Sequence, residues 1–280
     1  MEASRGCLHL CLHCPIPPVY GGRFFVVPED VVRADIRQLV GHGATHITFG
    51  DPDFLNGPGH SLSIIRAMHA EFPSLTFDFT AKVEHVLERE ALFPELRALG
   101  CVFMISAVES LSDIVLANLD KGHTRADVSR ALRIVRAAGI AFRPTWVAFT
   151  PWTTLEDFLE MFEFVEREGL IDHVDPVQLT LRLLVPPGSA LLTRDAITPY
   201  LGALDQAAFV HRWTHPDPRM DRLHLEASRL VEAAAAEDAA VTFHRLKALA
   251  RSTAGLPPES APQLAADRRR PPRLTEAWFC

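Results

Sequence analysis

Thr45-His46-Ile47-Thr48-Phe49-Gly50-Asp51-Pro52-Asp53 reads as a strand that stops in a polar loop. β-Branched and aromatic residues favour a pleated backbone, and the glycine closes the run. Upstream, Pro28-Glu29-Asp30 opens a helix, since proline is tolerated in a first turn and acids suit the positive end of the helix dipole. Apolar residues recur at Val31, Val32, Ile36, Leu39 and Val40 until Gly41 and Gly43 end it. Downstream the alternation continues, with a helix through Ile64, Ile65 and Met68 and a strand through Phe77 and Phe79. A helix to Leu99, a strand over 102–107, a helix over 125–138 and a strand over 140–148 follow. A helix over 155–167 and a strand over 177–184 complete the series. That makes five strands from residue 45, four of them joined to the next by a helix. The fold class is α/β, with a parallel sheet and helices on its faces.

Beyond Leu192 the pattern changes to two helical stretches, 196–211 and 221–249. Residues 252–272 then read as a proline-rich linker, with Arg268-Arg269-Arg270 as a solvated tail. The 280 residues are 48% hydrophobic and 22% charged, which excludes a mostly disordered chain. A net charge of −7 predicts no general attraction to nucleic acid or acidic membranes. No apolar run approaches the ~18 residues of a membrane span, and Met1–Gly6 does not start as a signal peptide does. The expectation is a cytoplasmic protein with no nucleic-acid and no membrane partner. Five cysteines, three of them within eight residues, argue against a disulfide scaffold and for a metal or redox site.

Those three lie in Cys7-Leu8-His9-Leu10-Cys11-Leu12-His13-Cys14, a C-x3-C-x2-C arrangement. Thiolates this close can ligate one metal centre, and Gly6 before the first lets the backbone turn tightly. On a cubane cluster, three protein ligands leave one iron open to a small molecule. A zinc site needs a fourth ligand, which His9 or His13 could supply as Cys3His. Zinc knuckles generally stabilise small folds, whereas this loop precedes a long β/α series able to bury its own core. The alternative that stays open is a Cys3His zinc or iron–sulfur protein with a binding or electron-carrying role. Cys101 opens a buried strand and reads as a small core hydrophobe. Asp51, Asp53 and His60 suggest a second metal site, against the plainer reading that loop carboxylates cap turns. Glu84-His85 reads as a substrate contact or simply as a helix start.

The cysteine spacing, the acid after Gly50, Val108-Glu109-Ser110 and Leu119-Asp120-Lys121-Gly122-His123-Thr124 together resemble the radical S-adenosylmethionine (radical SAM) enzymes. The resemblance covers residues 4 to 192. It implies a partial (β/α)6 TIM-like barrel whose first strand lies before Cys7, followed by a helical C-terminal region and a flexible tail. The corresponding division is a core barrel over 1–192, a helical extension over 193–250 and a linker and tail over 251–280. It also implies a [4Fe–4S] cluster on Cys7, Cys11 and Cys14, with S-adenosylmethionine on the open iron. One electron from an external donor such as a flavodoxin or ferredoxin would then cleave the sulfonium, and the resulting 5′-deoxyadenosyl radical would abstract hydrogen from a small-molecule or peptide substrate. Gly50-Asp51 aligns with the segment that holds the methionine amino group, although this chain has one glycine there and Asp where Glu is common. Glu109 and Ser110 match the strand end that meets the ribose or methionine portion. Lys82 or Arg143 would face the methionine carboxylate, against the plainer reading of a salt bridge, which also stands for Arg182.

Residues 14–25 and Phe49-Gly50-Asp51-Pro52-Asp53-Phe54-Leu55-Asn56-Gly57-Pro58 narrow the resemblance to a radical SAM group named for a CUAEP or CCAEP tail. In that group a cobalamin-binding-like domain commonly precedes the cysteines; none is expected here, so cobalamin is not carried over. Cys280 stands where the tail would begin, and the expectation is that a selenocysteine codon follows it and that a segment precedes Met1.

Overall fold

A computed structural model describes residues 1–259, 268 and 270–273. The chain forms two compact units, Met1–Val108 with Arg125–Pro144, and Glu109–Thr124 with Thr145–Cys280.

The first unit is built on a four-stranded sheet of β3 (His46–Phe49), β4 (Thr76–Thr80), β5 (Cys101–Glu109) and β6 (Ala141–Trp146), in that spatial order. β3 pairs with β4, and β4 with β5, in parallel. Helices α2 (Glu29–Gly41), α3 (Pro58–Glu71), α4 (Val83–Glu88), α5 (Phe93–Ala98) and α7 (Arg125–Ala137) accompany it. Covered parallel strands are apolar on both faces, which is why Phe77 and Met104 are buried alongside their strand neighbours. Phe49, Phe54 and Phe79 form a contiguous aromatic core, with centroids 4.6 and 5.3 Å apart along the series. Buried Asp78 is held within the sheet through Oδ1, which accepts from Thr48 Oγ1 at 2.7 Å and bonds His46 Nε2 at 2.8 Å, while its buried Oδ2 has no hydrogen-bond partner. Cys101 is fully buried, and burial pushes its thiol well above the usual range, so it acts as a small core hydrophobe.

Where the first barrel strand was expected, residue 1 lies along β3. The Met1 ammonium donates to Thr48 O at 2.8 Å and Met1 O accepts from Gly50 N at 2.7 Å, one step of a parallel ladder. The chain then leaves as β1 (Ser4–Gly6), passes the cysteine loop and α1 (Ile16–Tyr20), and returns antiparallel as β2 (Phe24–Val26).

The second unit holds α6 (Asp113–Asn118), α8 (Leu155–Arg167), β7 (Leu201–Asp205), β8 (Val210–Trp213), α9 (Pro218–Ala233) and α10 (Ala239–Thr253). A reciprocal cap starts α8: Thr154 Oγ1 accepts from Asp157 N at 3.0 Å and Asp157 Oδ2 from Thr154 N at 2.9 Å. Phe158, Phe162 and Val165 follow at helical spacing on the buried face of α8.

Four expectations change here. Residues 177–184 are not a full strand: a 3-10 turn covers Pro176–Thr180, and a single parallel bridge joins Phe149 to Arg182. Residues 196–211 are not a helix but lead into the antiparallel β7–β8 hairpin. Its turn is held by Asp205, whose Oδ1 accepts from Ala207 N and Ala208 N, each at 3.0 Å. Residues 221–249 form two helices rather than one, the second started by Asp238, which accepts from Ala240 N at 2.9 Å. Arg268 is also not freely solvated: it is paired with Asp172 at 2.7 Å and Asp238 at 2.8 Å, and Arg270 joins Asp238. Arg269, Cys280 and residues 260–267 of the expected linker lie outside the described residues. Among the described residues no helix is long and apolar enough to cross a membrane.

His224 of α9 packs edge-on against Phe149 at 5.1 Å, and burial first, then Arg182, holds its pKa below 6.5. A histidine whose folded pKa is depressed stabilises fully above its unfolded pKa and loses that contribution as pH falls through the folded value. Stability should therefore fall on acidification below about 6.5. His224→Gln should flatten that slope in urea titrations from pH 7 to 5; an identical slope would remove His224 from the account.

Candidate functional site

The cysteine loop is delivered by β1 and fixed from beneath. Gly6 takes φ +80°, and a Cβ there would stand 2.3 Å from Arg23 O, so only glycine fits immediately before Cys7. Gly6→Ala is expected to cost more than the ~1–2 kcal/mol of the left-handed backbone alone. A lower denaturation midpoint and reduced iron uptake would report it, and a wild-type midpoint would refute it. Asp51, in the loop after β3, anchors the same segment: Oδ2 accepts from Ala3 N at 2.9 Å and Oδ1 from Ser4 Oγ at 2.6 Å. Burial raises the Asp51 pKa, while these donors oppose the rise.

Cys7 and Cys11 are buried and Cys14 half-buried, and all three are free thiols. Cys14 N donates to Cys11 O at 3.2 Å, closing a tight turn. Burial pushes the Cys7 thiol up, against the backbone of His9 and the side chain of Asn56. Asn56 Oδ1 lies 3.9 Å from Cys7 Sγ and 3.4 Å from Leu8 N, while its buried Nδ2 has no partner. Three thiols outside any disulfide, two of them in one tight turn, are the soft donors that iron or zinc takes once deprotonated. The residues thus fit a thiolate-ligated centre.

Among the described residues, one set of three ligating groups lies within 4.8 Å of one another, namely His9, Asp53 and His85. A single tetrahedral zinc would need a fourth ligand beside the three thiolates, whereas a cubane takes each thiolate on a different iron.

The ends of β3 and β4 meet this loop. Asp53 is fully buried; Oδ1 accepts from Leu55 N at 2.9 Å, and Oδ2 from Lys82 N at 3.1 Å. His85 Nδ1 is 2.9 Å from Asp53 Oδ2, and His85 Nε2 is 3.2 Å from His9 Nε2. Burial, then Lys82 and His85, lowers the His9 pKa. Lys82 is buried and its ammonium is paired with Glu84, the salt-bridge reading weighed for it. Arg143 is buried in β6. His60 bonds Ala3 O at 3.2 Å and stands outside the His9 group. Gly50 belongs to the ladder with Met1.

Glu109 and Ser110 belong to the second unit. Glu109 is buried at φ +65°, unusual for a residue with a side chain, and ion-paired with buried Lys121 at 3.3 Å. Ser110 Oγ accepts from Ser112 N at 3.1 Å. Arg182 is committed to structure: it pairs with Asp221 at 2.8 Å and stacks 3.5 Å from the Trp213 ring centroid.

Sequence reasoning weighed Asp53 and His85 separately and missed their union with His9. Asn56 was quoted without a role. Both contacts join segments far apart in the chain, so no spacing rule exposes them.

The pattern of the Radical SAM superfamily matches residues 1–165 of the 280, and the chain belongs to that superfamily. Enzymes of this superfamily use a [4Fe–4S] cluster and S-adenosylmethionine. The chain is similar to the ribosomal protein uS12 methylthiotransferase RimO of Porphyromonas gingivalis, 26% identical over 59% of this chain and 40% of that protein. It is also similar to the tRNA-2-methylthio-N(6)-dimethylallyladenosine synthase of Pelobacter propionicus, 27% identical over 61% of this chain and 41% of that one. The chain thus spans about 40% of the length of the curated relatives it matches. Among solved structures, the cobalamin-dependent S-adenosylmethionine radical enzyme OxsB shares the fold, with a TM-score of 0.69 at 16% identity over 84% of this chain and 41% of that one.

Proposed function

We propose that this chain is the catalytic core of a radical SAM enzyme that reductively cleaves S-adenosylmethionine and modifies a small-molecule or peptide substrate. The observation that carries the reading is the junction of the three-cysteine loop with the residues following β3 and β4. Sites in β/α folds form at the C-terminal ends of strands, and Asn56, Asp53 and His85 all hold the loop there. When bound, the cluster and S-adenosylmethionine supply one-electron cleavage of a carbon–sulfur bond and hydrogen abstraction from substrate.

Cys7, Cys11 and Cys14 hold the cluster. Asp51 steadies the strand entering the loop, and each of its oxygens keeps a further lone pair for the methionine amino group beside Gly50. Lys82 and Arg143 offer cations to the methionine carboxylate, and Glu109 and Ser110 offer polar groups to the ribose. The division into 1–192, 193–250 and 251–280, a cytoplasmic location and a flavodoxin or ferredoxin donor belong to the same reading. So does placement near the CUAEP/CCAEP-tail group, which rests on residues 14–25 and 49–58.

Anaerobic reconstitution followed by reduction with S-adenosylmethionine present tests it. A band near ~400 nm together with 5′-deoxyadenosine is expected. A fully loaded cluster without cleavage would overturn the enzyme reading, and stoichiometric zinc in place of iron would overturn the cluster.

A further inference from the structure

We propose a second metal site beside the cysteine loop, for a divalent transition ion such as Zn2+, held by the Nε2 atoms of His9 and His85. The inference goes beyond radical chemistry and does not depend on it.

His85 turns Nδ1 to Asp53 Oδ2 at 2.9 Å, and a carboxylate oxygen accepts, which draws the His85 ring proton to Nδ1 and leaves Nε2 with a lone pair. That lone pair faces His9 Nε2 at 3.2 Å. Between the two nitrogens lies either a proton, in an ordinary N–H···N bond, or a metal ion that both rings ligate.

Ring geometry favours the metal. A proton shared head-on at 3.2 Å would set the ring centroids about 5.4 Å apart. Two imidazoles converging on one ion at ~2.0–2.1 Å, with their nitrogens 3.2 Å apart, subtend about 100° and set the centroids about 4.9 Å apart. The observed separation is 4.6 Å with the rings tilted by 56°, closer to convergence on a common point. Asp53 is tied to Leu55 N and Lys82 N and orients His85 rather than ligating, the carboxylate–histidine–metal pattern. Glu84 stands beside His9, its Oε2 3.6 Å from His9 Nδ1, and is ion-paired with Lys82. Two protein nitrogens leave two tetrahedral positions for water or for an oxygen or nitrogen donor of a substrate.

Zinc is the probe, added anaerobically to the cluster-loaded full chain, with zinc and iron counted by elemental analysis. One zinc per chain beyond the cluster iron is expected, and His85→Gln should weaken its uptake at least tenfold without changing iron. Asp53→Asn should weaken it about 10–100-fold. A second arm uses the Cys7→Ser/Cys11→Ser/Cys14→Ser protein with Co2+, its folding checked by circular dichroism. Visible bands without sulfur charge transfer, abolished by His85→Gln, would support the site even if no cluster assembles. No uptake in either arm would leave a shared proton between the rings and overturn the proposal, as would equal uptake by His85→Gln.

Discussion

Serine at Cys7, Cys11 or Cys14 is expected to take the reconstituted protein from about four irons per chain to fewer than one. Cleavage of S-adenosylmethionine should fall to background in each variant. The hydroxyl is a hard, high-pKa donor that cannot replace a thiolate on iron, and three ligands leave none to spare. Cys101→Ala is the matched control. Cys101 is buried in β5 with its thiol pushed far up, so its loss should leave iron and cleavage unchanged. Full iron in any single cysteine variant, or loss of iron on removing Cys101, would overturn the ligand assignment.

The second large effect concerns Lys121. Its ammonium and the Glu109 carboxylate are both buried and lie 3.3 Å apart, with Glu109 in the left-handed backbone region. Lys121→Met would leave the carboxylate in a poor solvent for charge without this cation. Breaking a buried pair on one side costs about 3–5 kcal/mol. With a urea dependence of about 1–3 kcal/mol per molar, the midpoint should fall by roughly 1 M or more. Adding Glu109→Gln should recover part of the loss, because the amide needs no counter-charge. An unchanged midpoint in Lys121→Met would show that Glu109 draws its compensation elsewhere.

The sheet was legible because parallel strands covered on both faces leave a local trace. Strands expected at 45–49, 102–107 and 140–148 are found at His46–Phe49, Cys101–Glu109 and Ala141–Trp146. The β7–β8 hairpin was illegible because its turn lacks the usual marks. The left-handed position is filled by Phe209 at φ +55°, not by glycine, and Asp205 to Ala208 reads as helical composition. The strand expected over 177–184 gave way because Pro176 starts a 3-10 turn that curls the backbone before pairing can begin. At the site, the cysteines were visible because their spacing is local. His9, Asp53 and His85 were not, because they meet only once β3 and β4 bring distant loops to one end of the sheet.

The contact of Met1 with β3 bears on how the protein is handled in the laboratory. Because its amine and carbonyl both serve the ladder, residues attached ahead of it would be led along the backbone of Ile47 and His46. An affinity tag fused there would be recruited as sheet, and its last residues should be β-compatible and free of proline, which has no N–H to give.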